Sequence, residues 1–422
     1  MKKYNIIPVI LFSAVLGMNA RDNEAVAAGM PAADSLACSI GEAAGAEILR
    51  TSSIDEVLSS VRDRNPELNA IAMDTEAQAF QLKSENMLED PGIEYSSFYS
   101  NGVTGQAGSE LVVSQGFEFP TVYAARHRRN ELSRAALENG LTNESRRILL
   151  DAKNLCLDII MYRQIGKLLG MQSEIAGELL GLYEQRLETG DASALEVNKI
   201  KMELMSLATD VAANEAALDA ACRNLTAMNG GKEIIFEADE FPLTEKVSDH
   251  EAAVKEYMAC DAAVMAAGNA AEAARKDVSV NKQGWIPKLE IGYRRNTAIR
   301  DAEHGFLIGC SVPLFSNHKK VAMAKARSTS AQSNLNYARL RSEAEVRALL
   351  NEMDQTAAAI AAYNEPLMRE TLELLRQAVE GGEISLIDYF VEASGIYGSL
   401  TDCITLQNSW QKLAARLFKN RL

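Results

Sequence analysis

The sequence predicts a mixed α+β membrane protein built on an internally duplicated β-β-α-α unit. Three observations carry that prediction. A helix-reversal phrase, Tyr183–Glu196 (YEQRLETGDASALE), recurs about 190 residues later as Leu375–Asp388 (LRQAVEGGEISLID). Two alternating segments of membrane-barrel length lie upstream of each copy. A long heptad-patterned stretch joins each strand pair to its phrase.

The chain of 422 residues is 47% hydrophobic and 24% charged, a composition that supports a folded core, and its net charge of -15 excludes a nucleic-acid surface. Residues 1-27 read as a signal peptide. Lys2 and Lys3 precede an apolar run from Ile6 to Gly17, which at roughly 12 residues is too short to span a bilayer. Residues 28-53, rich in alanine and small polar side chains, read as a flexible leader. The first repeat covers 54-228, with strands at about 92-119 and a hairpin tip at about 187-193. A linker, 229-247, precedes the second repeat at 248-422, with strands at about 287-315 and a tip at about 379-385.

The first helix is expected to start near Ser53, capped by Ser53 with Glu56, and to run to about Leu88. Asn65-Pro66 interrupts or restarts it, because proline is tolerated only in the first turn of a helix. The strand from Ile93 to Ser100 alternates loosely; in the next, Leu111, Val113, Phe117 and Phe119 share one face. Asn101-Gly102 and Gly105 supply the turn between them. In the second half Leu289, Ile291 and Tyr293 form one apolar row, and Phe306, Ile308, Cys310, Val312 and Leu314 another.

From Val122 to about Glu188 no strong helix breaker occurs, which at ~1.5 Å per residue makes close to 100 Å of helix. Leu141, Ile148, Leu155, Tyr162, Leu169, Ala176 and Tyr183 recur every seven residues as a coiled-coil seam. The second copy repeats the period with Val346, Met353, Ile360, Leu367 and Leu374, and Pro366 is expected to kink that helix or break it near Asn364. At each tip, Gly190 or Gly382 accepts the left-handed turn that closes a helix. Ser193 with Glu196, and Ser385 with Asp388, then have capping-box spacing for the return helix.

Four strands cannot close a barrel alone, since the smallest bacterial barrels have about eight. Unpaired strand edges in lipid cost several kcal/mol per backbone group, so the chain is expected to assemble with copies of itself. Two copies make a narrow barrel filled by side chains; three make twelve strands around a lumen.

The chain resembles the TolC-like outer-membrane efflux proteins, the outer membrane factors. The matching phrases are Leu111–Pro120 (LVVSQGFEFP) with Arg126, Arg128 and Arg129 behind it, Gly309–Phe315 (GCSVPLF), the two tip phrases, and Asn65-Pro66-Glu67. The resemblance spans about residues 54-420 and lies in the order, duplication and spacing of these phrases. The Ser114–Pro120 phrase and its basic tail are most similar to the cation-efflux branch.

This resemblance implies a homotrimer in the bacterial outer membrane, with a twelve-stranded barrel in lipid and a long periplasmic α-helical tunnel. It implies an exit duct in a tripartite efflux system. The duct passively conducts small molecules or metal cations delivered by an inner-membrane pump and a periplasmic adaptor. By the same resemblance, Arg186, Leu187, Gly190, Ser193, Gly382 and Ser385 are the adaptor-docking tips, and Glu196 and Asp388 ring the periplasmic entrance. Helix capping alone also accounts for Glu196 and Asp388, and a solvated helical charge for Arg186.

No catalytic constellation, cofactor motif or metal-ligand spacing appears, so an enzyme is not expected. His127, His250, His304 and His318 are isolated, and six scattered cysteines read as packed thiols rather than a disulfide framework. Two alternatives stay open at this point: the outer-membrane duct of a type I protein secretion system, and a periplasmic coiled-coil scaffold or adaptor without a membrane part. The latter leaves the four alternating strands unexplained.

Overall fold

The computed structural model describes residues 48–101, 105–245, 247–298, 301–313 and 319–422. The expected signal peptide, most of the leader, Gly102, Leu314 and His318 lie outside the described residues.

The first repeat opens with β1 (Leu49–Thr51), α1 (Ile54–Arg64) and α2 (Pro66–Ser84), followed by β2 (Gly92–Phe98) and β3 (Gly108–Phe117). Helix α3 (Pro120–Thr189) runs unbroken for 70 residues, and α4 (Ala194–Met228) returns beside it. After β4 (Ile234–Phe236) the second repeat has α5 (His250–Cys260), α6 (Ala262–Gln283), β5 (Lys288–Ala298) and β6 (Ala302–Ser311). It ends with α7 (Lys320–Ala361), α8 (Glu365–Gly381) and α9 (Leu386–Leu417). No helix among the described residues is long and apolar enough to cross a membrane.

The repeated unit is therefore larger than β-β-α-α, because a broken helix pair precedes each strand pair. The breaks match in chemistry. The Asn65 side chain accepts from Leu68 N at 2.8 Å and caps α2; the Asp261 side chain accepts from Ala263 N at 3.0 Å and caps α6. Asn65 also donates to the Met228 carbonyl at 2.9 Å, which ties the break to the end of the return helix.

Several sequence expectations change here. Ser53 makes no side-chain cap; instead Thr51 Oγ1 donates to Glu56 Oε2 at 2.5 Å and accepts from Ser53 N at 2.9 Å. A strand that ends at Thr51 puts that hydroxyl ahead of the helix and displaces the serine. The last residues of the expected flexible leader are strand β1, which pairs in parallel with β4 from within the expected linker. Ile234 and Phe236 from that linker are buried in the first core with Val57, Val61, Ile148, Ile159 and Leu225.

The second heptad row also slips. Val346 and Met353 are buried, but Leu367 and Leu374 are 56% and 58% exposed. Helix α7 ends at Ala361 and α8 restarts at Glu365 with Asn364 as its cap, so the intervening residues reset the helical phase. The positions packed inward are Met368, Leu372, Leu375 and Val379, one residue out of the original frame.

Strands β2, β3, β5 and β6 form one antiparallel sheet in that order, so the two hairpins pair through β3 and β5. The register sorts the side chains by face. Val113 sits opposite both Ile93 and Tyr293, and Tyr293 opposite Phe306, while Ile291 faces Ile308. These share one face, because side chains alternate with period two along each strand. The other face carries Glu94, Glu110, Ser114, Glu290, Arg294 and Asn296 with Gly92, Gly116 and Gly305. Arg294 pairs there with Glu110 at 2.7 Å.

Candidate functional site: the hairpin tips and the open sheet

Both tips are built by the same backbone device. Gly190 closes α3 at φ 86°; Asp191 N donates to Arg186 O at 2.7 Å and Gly190 N to Leu187 O at 3.2 Å. Gly382 closes α8 at φ 75°; Glu383 N donates to Ala378 O at 2.8 Å and Gly382 N to Val379 O at 3.2 Å. This paired pattern satisfies the last free carbonyls of each helix and needs the left-handed glycine.

The return helices then start differently. Ser193 Oγ accepts from Glu196 N at 3.3 Å while Glu196 Oε2 accepts from Ser193 N at 2.7 Å, a complete capping box. These bonds, the backbone one first, hold the Glu196 carboxyl below the usual carboxylate range. Ser385 Oγ accepts from Asp388 N at 3.1 Å and donates to Asp388 Oδ2 at 2.6 Å. Asp388 is one methylene shorter, and no bond from Ser385 N closes the second half of its box.

Under the tips the two hairpins share one core of Leu179, Tyr183, Val197, Ile200, Val379, Leu386 and Tyr389. Burial pushes the Tyr183 and Tyr389 hydroxyls up, so both stay protonated and neutral in that core. Arg186 lies over the Tyr183 ring at 5.2 Å and donates from Nη2 to the Glu380 carbonyl at 2.6 Å. The structure thus gives Arg186 a bond across the hairpins, where the sequence left a solvated charge open. Leu187, Ser193, Gly190, Gly382 and Ser385 are exposed, and Glu196 is partly so.

One tip residue escaped the sequence reading. Arg376 bonds Glu380 at 3.0 Å within α8 and reaches Glu178 on α3 at 2.9 Å. The i,i+4 spacing to Glu380 was legible; the partner 198 residues away was not.

At the other end of α3, two of the arginines past β3, Arg126 and Arg129, are engaged, and Arg128 is exposed. Arg126 pairs with Glu118 at 2.6 Å, and Arg129 with Glu85 at 2.8 Å. Lys288 at the start of β5 pairs with Glu89. The two arginine pairs join the ends of α2 and β3 to the beginning of α3, and the Lys288 pair joins the segment after α2 to the start of β5. No group of three or more His, Cys, Asp or Glu side chains suited to a metal ion occurs among the described residues. Among the described cysteines, Cys156 and Cys403 are buried and Cys222 half-buried. Cys260 and Cys310 are exposed, which corrects the expectation of packing for those two.

The sheet keeps two edges without a strand partner, β2 and β6, and their apolar side chains are bare: Phe306 and Ile308 are 88% and 84% exposed. A sheet with one apolar and one polar face, attached to helices of this length, has close parallels among solved structures. The channel CusC superposes with a TM-score of 0.68 at 13% identity, over 90% of this chain and 95% of that one. The open state of the Neisseria gonorrhoeae MtrE outer membrane channel gives 0.72 at 12% identity, over 87% and 88%. The outer-membrane channel OprN gives 0.72 at 12% identity, over 87% and 89%. The fold is that of the TolC-like outer-membrane channels.

A sequence relative agrees with this. Outer membrane protein TolC of Vibrio cholerae is 19% identical over 376 residues, covering 81% of this chain and 84% of that protein. No family model matches the chain. In this TolC-like fold the strands stand at one end of α3 and the glycine-closed tips at the other.

Proposed function

We propose that the protein is an outer-membrane exit duct, and that three copies supply twelve strands to one barrel. The supporting observation is the four-stranded sheet, with its apolar face, its polar face and its two bare edges. In lipid those edges need partners, and β6 of one copy meeting β2 of the next closes the sheet without a foreign strand. The apolar rows then face lipid, and Glu94, Glu110, Glu290 and Arg294 face an aqueous lumen. The helices continue the lumen into the periplasm. Transport through it is passive and has no catalytic step.

The tips are the natural docking end for a periplasmic adaptor, which links the duct to an inner-membrane pump that supplies small molecules or metal cations. Arg186, Leu187, Gly190, Ser193, Gly382 and Ser385 present the docking surface. Glu196 and Asp388 sit just inside it, and a ring of their carboxylates favours cations at the entrance.

Outer-membrane fractionation followed by mass measurement in detergent tests this reading. A heat-dissociable trimer that conducts ions in planar bilayers is the expected result. A water-soluble periplasmic monomer overturns the duct. Replacing both Glu196 and Asp388 by Ala is expected to reduce cation preference; an unchanged preference leaves these residues as caps alone.

A further inference from the structure

The apolar face of the sheet ends in a row of different chemistry. Side chains alternate along each strand, so the face that holds Val113, Tyr293 and Phe306 continues, two residues farther from the helices, to Tyr95, Leu111, Arg295 and His304. These four lie in register across the sheet: Tyr95 opposite Leu111, Leu111 opposite Arg295, Arg295 opposite His304. Beyond them the same face carries only Ser97, Ser109, Thr297 and Ala302. The apolar surface stops at this row, about 20 Å along β5 from Leu289 at the helix end.

Charge is sorted between the two faces. Within the four strands the apolar face holds no carboxylate, although the whole chain has a net charge of -15; Glu94, Glu110, Glu290 and Glu303 all lie on the other face. Arg294 on that other face pairs with Glu110 at 2.7 Å, whereas Arg295 has no ion-pair partner among the described residues. Both Arg295 and His304 are exposed. The Tyr95 hydroxyl accepts from Gln106 Nε2 at 3.0 Å, and Gln106 belongs to the loop that joins β2 to β3, so the polar tip of that ring is held toward the far end of the sheet. The His304 ring lies beside that of Tyr293, with centroids 6.4 Å apart. Tyrosines with the hydroxyl turned away from an apolar band mark a membrane interface.

We propose that Arg295 and His304, flanked by Tyr95, are a contact site for the phosphate groups of the glycolipid in the outer leaflet of the outer membrane. The proposal rests on the reading above that the apolar face meets lipid. The helices leave the sheet at its opposite end, so this row meets the outer leaflet, where phosphorylated glycolipid is the abundant anion. Side chains directly opposite on antiparallel strands have Cβ atoms about 5 Å apart, which lets both reach one phosphate. The guanidinium offers forked donors that match phosphate oxygens, and the imidazole has an N–H to donate whether neutral or charged. An arginine on the lipid side also needs an anion or water at headgroup level, and the end of the apolar band supplies that level.

The test uses the full chain, purified as a trimer in mild detergent and weighed intact in its native state while diphosphoryl lipid A is titrated in. Saturable binding is expected, weakened about tenfold by Arg295→Gln together with His304→Gln. Arg295→Lys keeps the charge without the forked donors and is expected to fall between the two. Arg294→Gln, on the other face, is expected to bind as the unaltered protein does. Equal binding by the unaltered protein and the double variant overturns the proposal, and so does a loss confined to Arg294→Gln. Phosphatidylglycerol, with one phosphate in place of two, is expected to bind about tenfold more weakly than lipid A. Equal affinity for the two lipids overturns the glycolipid assignment. The same spectra report whether each variant is a trimer, and Arg295→Lys decides the comparison if the double variant does not assemble. A failed duct reading shows separately, as unaltered protein that yields no trimer from the membrane fraction.

Discussion

Arg186 near the end of α3 donates to the main-chain carbonyl of Glu380 near the end of α8, 194 residues away, at 2.6 Å. The bond fastens the tip of the first hairpin to the second. The guanidinium also lies against the negative end of α8, where cations are favoured. Arg186→Ala is expected to cost about 1 kcal/mol of tip stability, since the site is exposed and screened. Limited proteolysis between Glu188 and Ser193 should accelerate, and channel current in planar bilayers should rise. Unchanged cleavage and current would show that the shared core alone holds the tips together.

The Glu196 cap predicts a pH dependence of defined sign. Its carboxyl is held below the ordinary range by bonds from Ser193. A depressed folded value contributes stability that is present above the unfolded value of about 4.3 and is lost as pH falls through the folded one. Amide exchange of residues 194–197 should therefore rise as pH falls below about 4. Glu196→Gln, which can still accept from Ser193 N but does not ionise there, should flatten that rise. An equal rise in the variant rejects the cap as its source.

Asn65 does two jobs at the break between α1 and α2: it caps α2 and holds the end of α4. It is buried, so Asn65→Ala leaves orphaned backbone groups and is expected to cost about 2–3 kcal/mol. Asn65→Asp keeps the acceptor, loses the donor and buries a charge, and should be no better. The midpoint of trimer heat dissociation reads both effects; a shift under one degree for Asn65→Ala would contradict them.

Gly292 lies on the polar face of β5, where an added Cβ would come within 2.7 Å of the Val113 carbonyl and 3.1 Å of the Ser114 Cβ. Gly292→Ala should strain the β3–β5 pairing by about 1–3 kcal/mol, because backbone cannot move aside as a flexible side chain can. That pairing joins the two repeats, so the variant is expected to show less heat-resistant trimer than Gly305→Ala, where the added methyl meets nothing. Equal trimer yields for the two variants would refute the clash.

Much of this architecture was legible because it depends on local signals. Glycine followed by Ser-x-x-acid marks both hairpins, whatever packs around them. Period-two alternation marked the strands, and Asn65-Pro66 marked the break in the first helix. The matching break at Asp261 was missed because it has no proline and is flanked by alanine-rich helix. Ser53 was misread because the spacing of a capping box says nothing about Thr51, whose position depends on β1 pairing with β4. Leu367 and Leu374 were placed in a seam because a heptad count runs on through a break that in fact resets it.

The amino-acid sequence by itself determined where this chain turns, which strand faces are apolar and how long α3 runs. Each of these follows from residues a few positions apart. Only the tertiary structure decided which distant groups meet: β1 with β4, β3 with β5, Arg186 with Glu380, Arg376 with Glu178. Such pairings depend on the level at which two long helices or strands lie side by side, and that level is set by packing summed along their whole length.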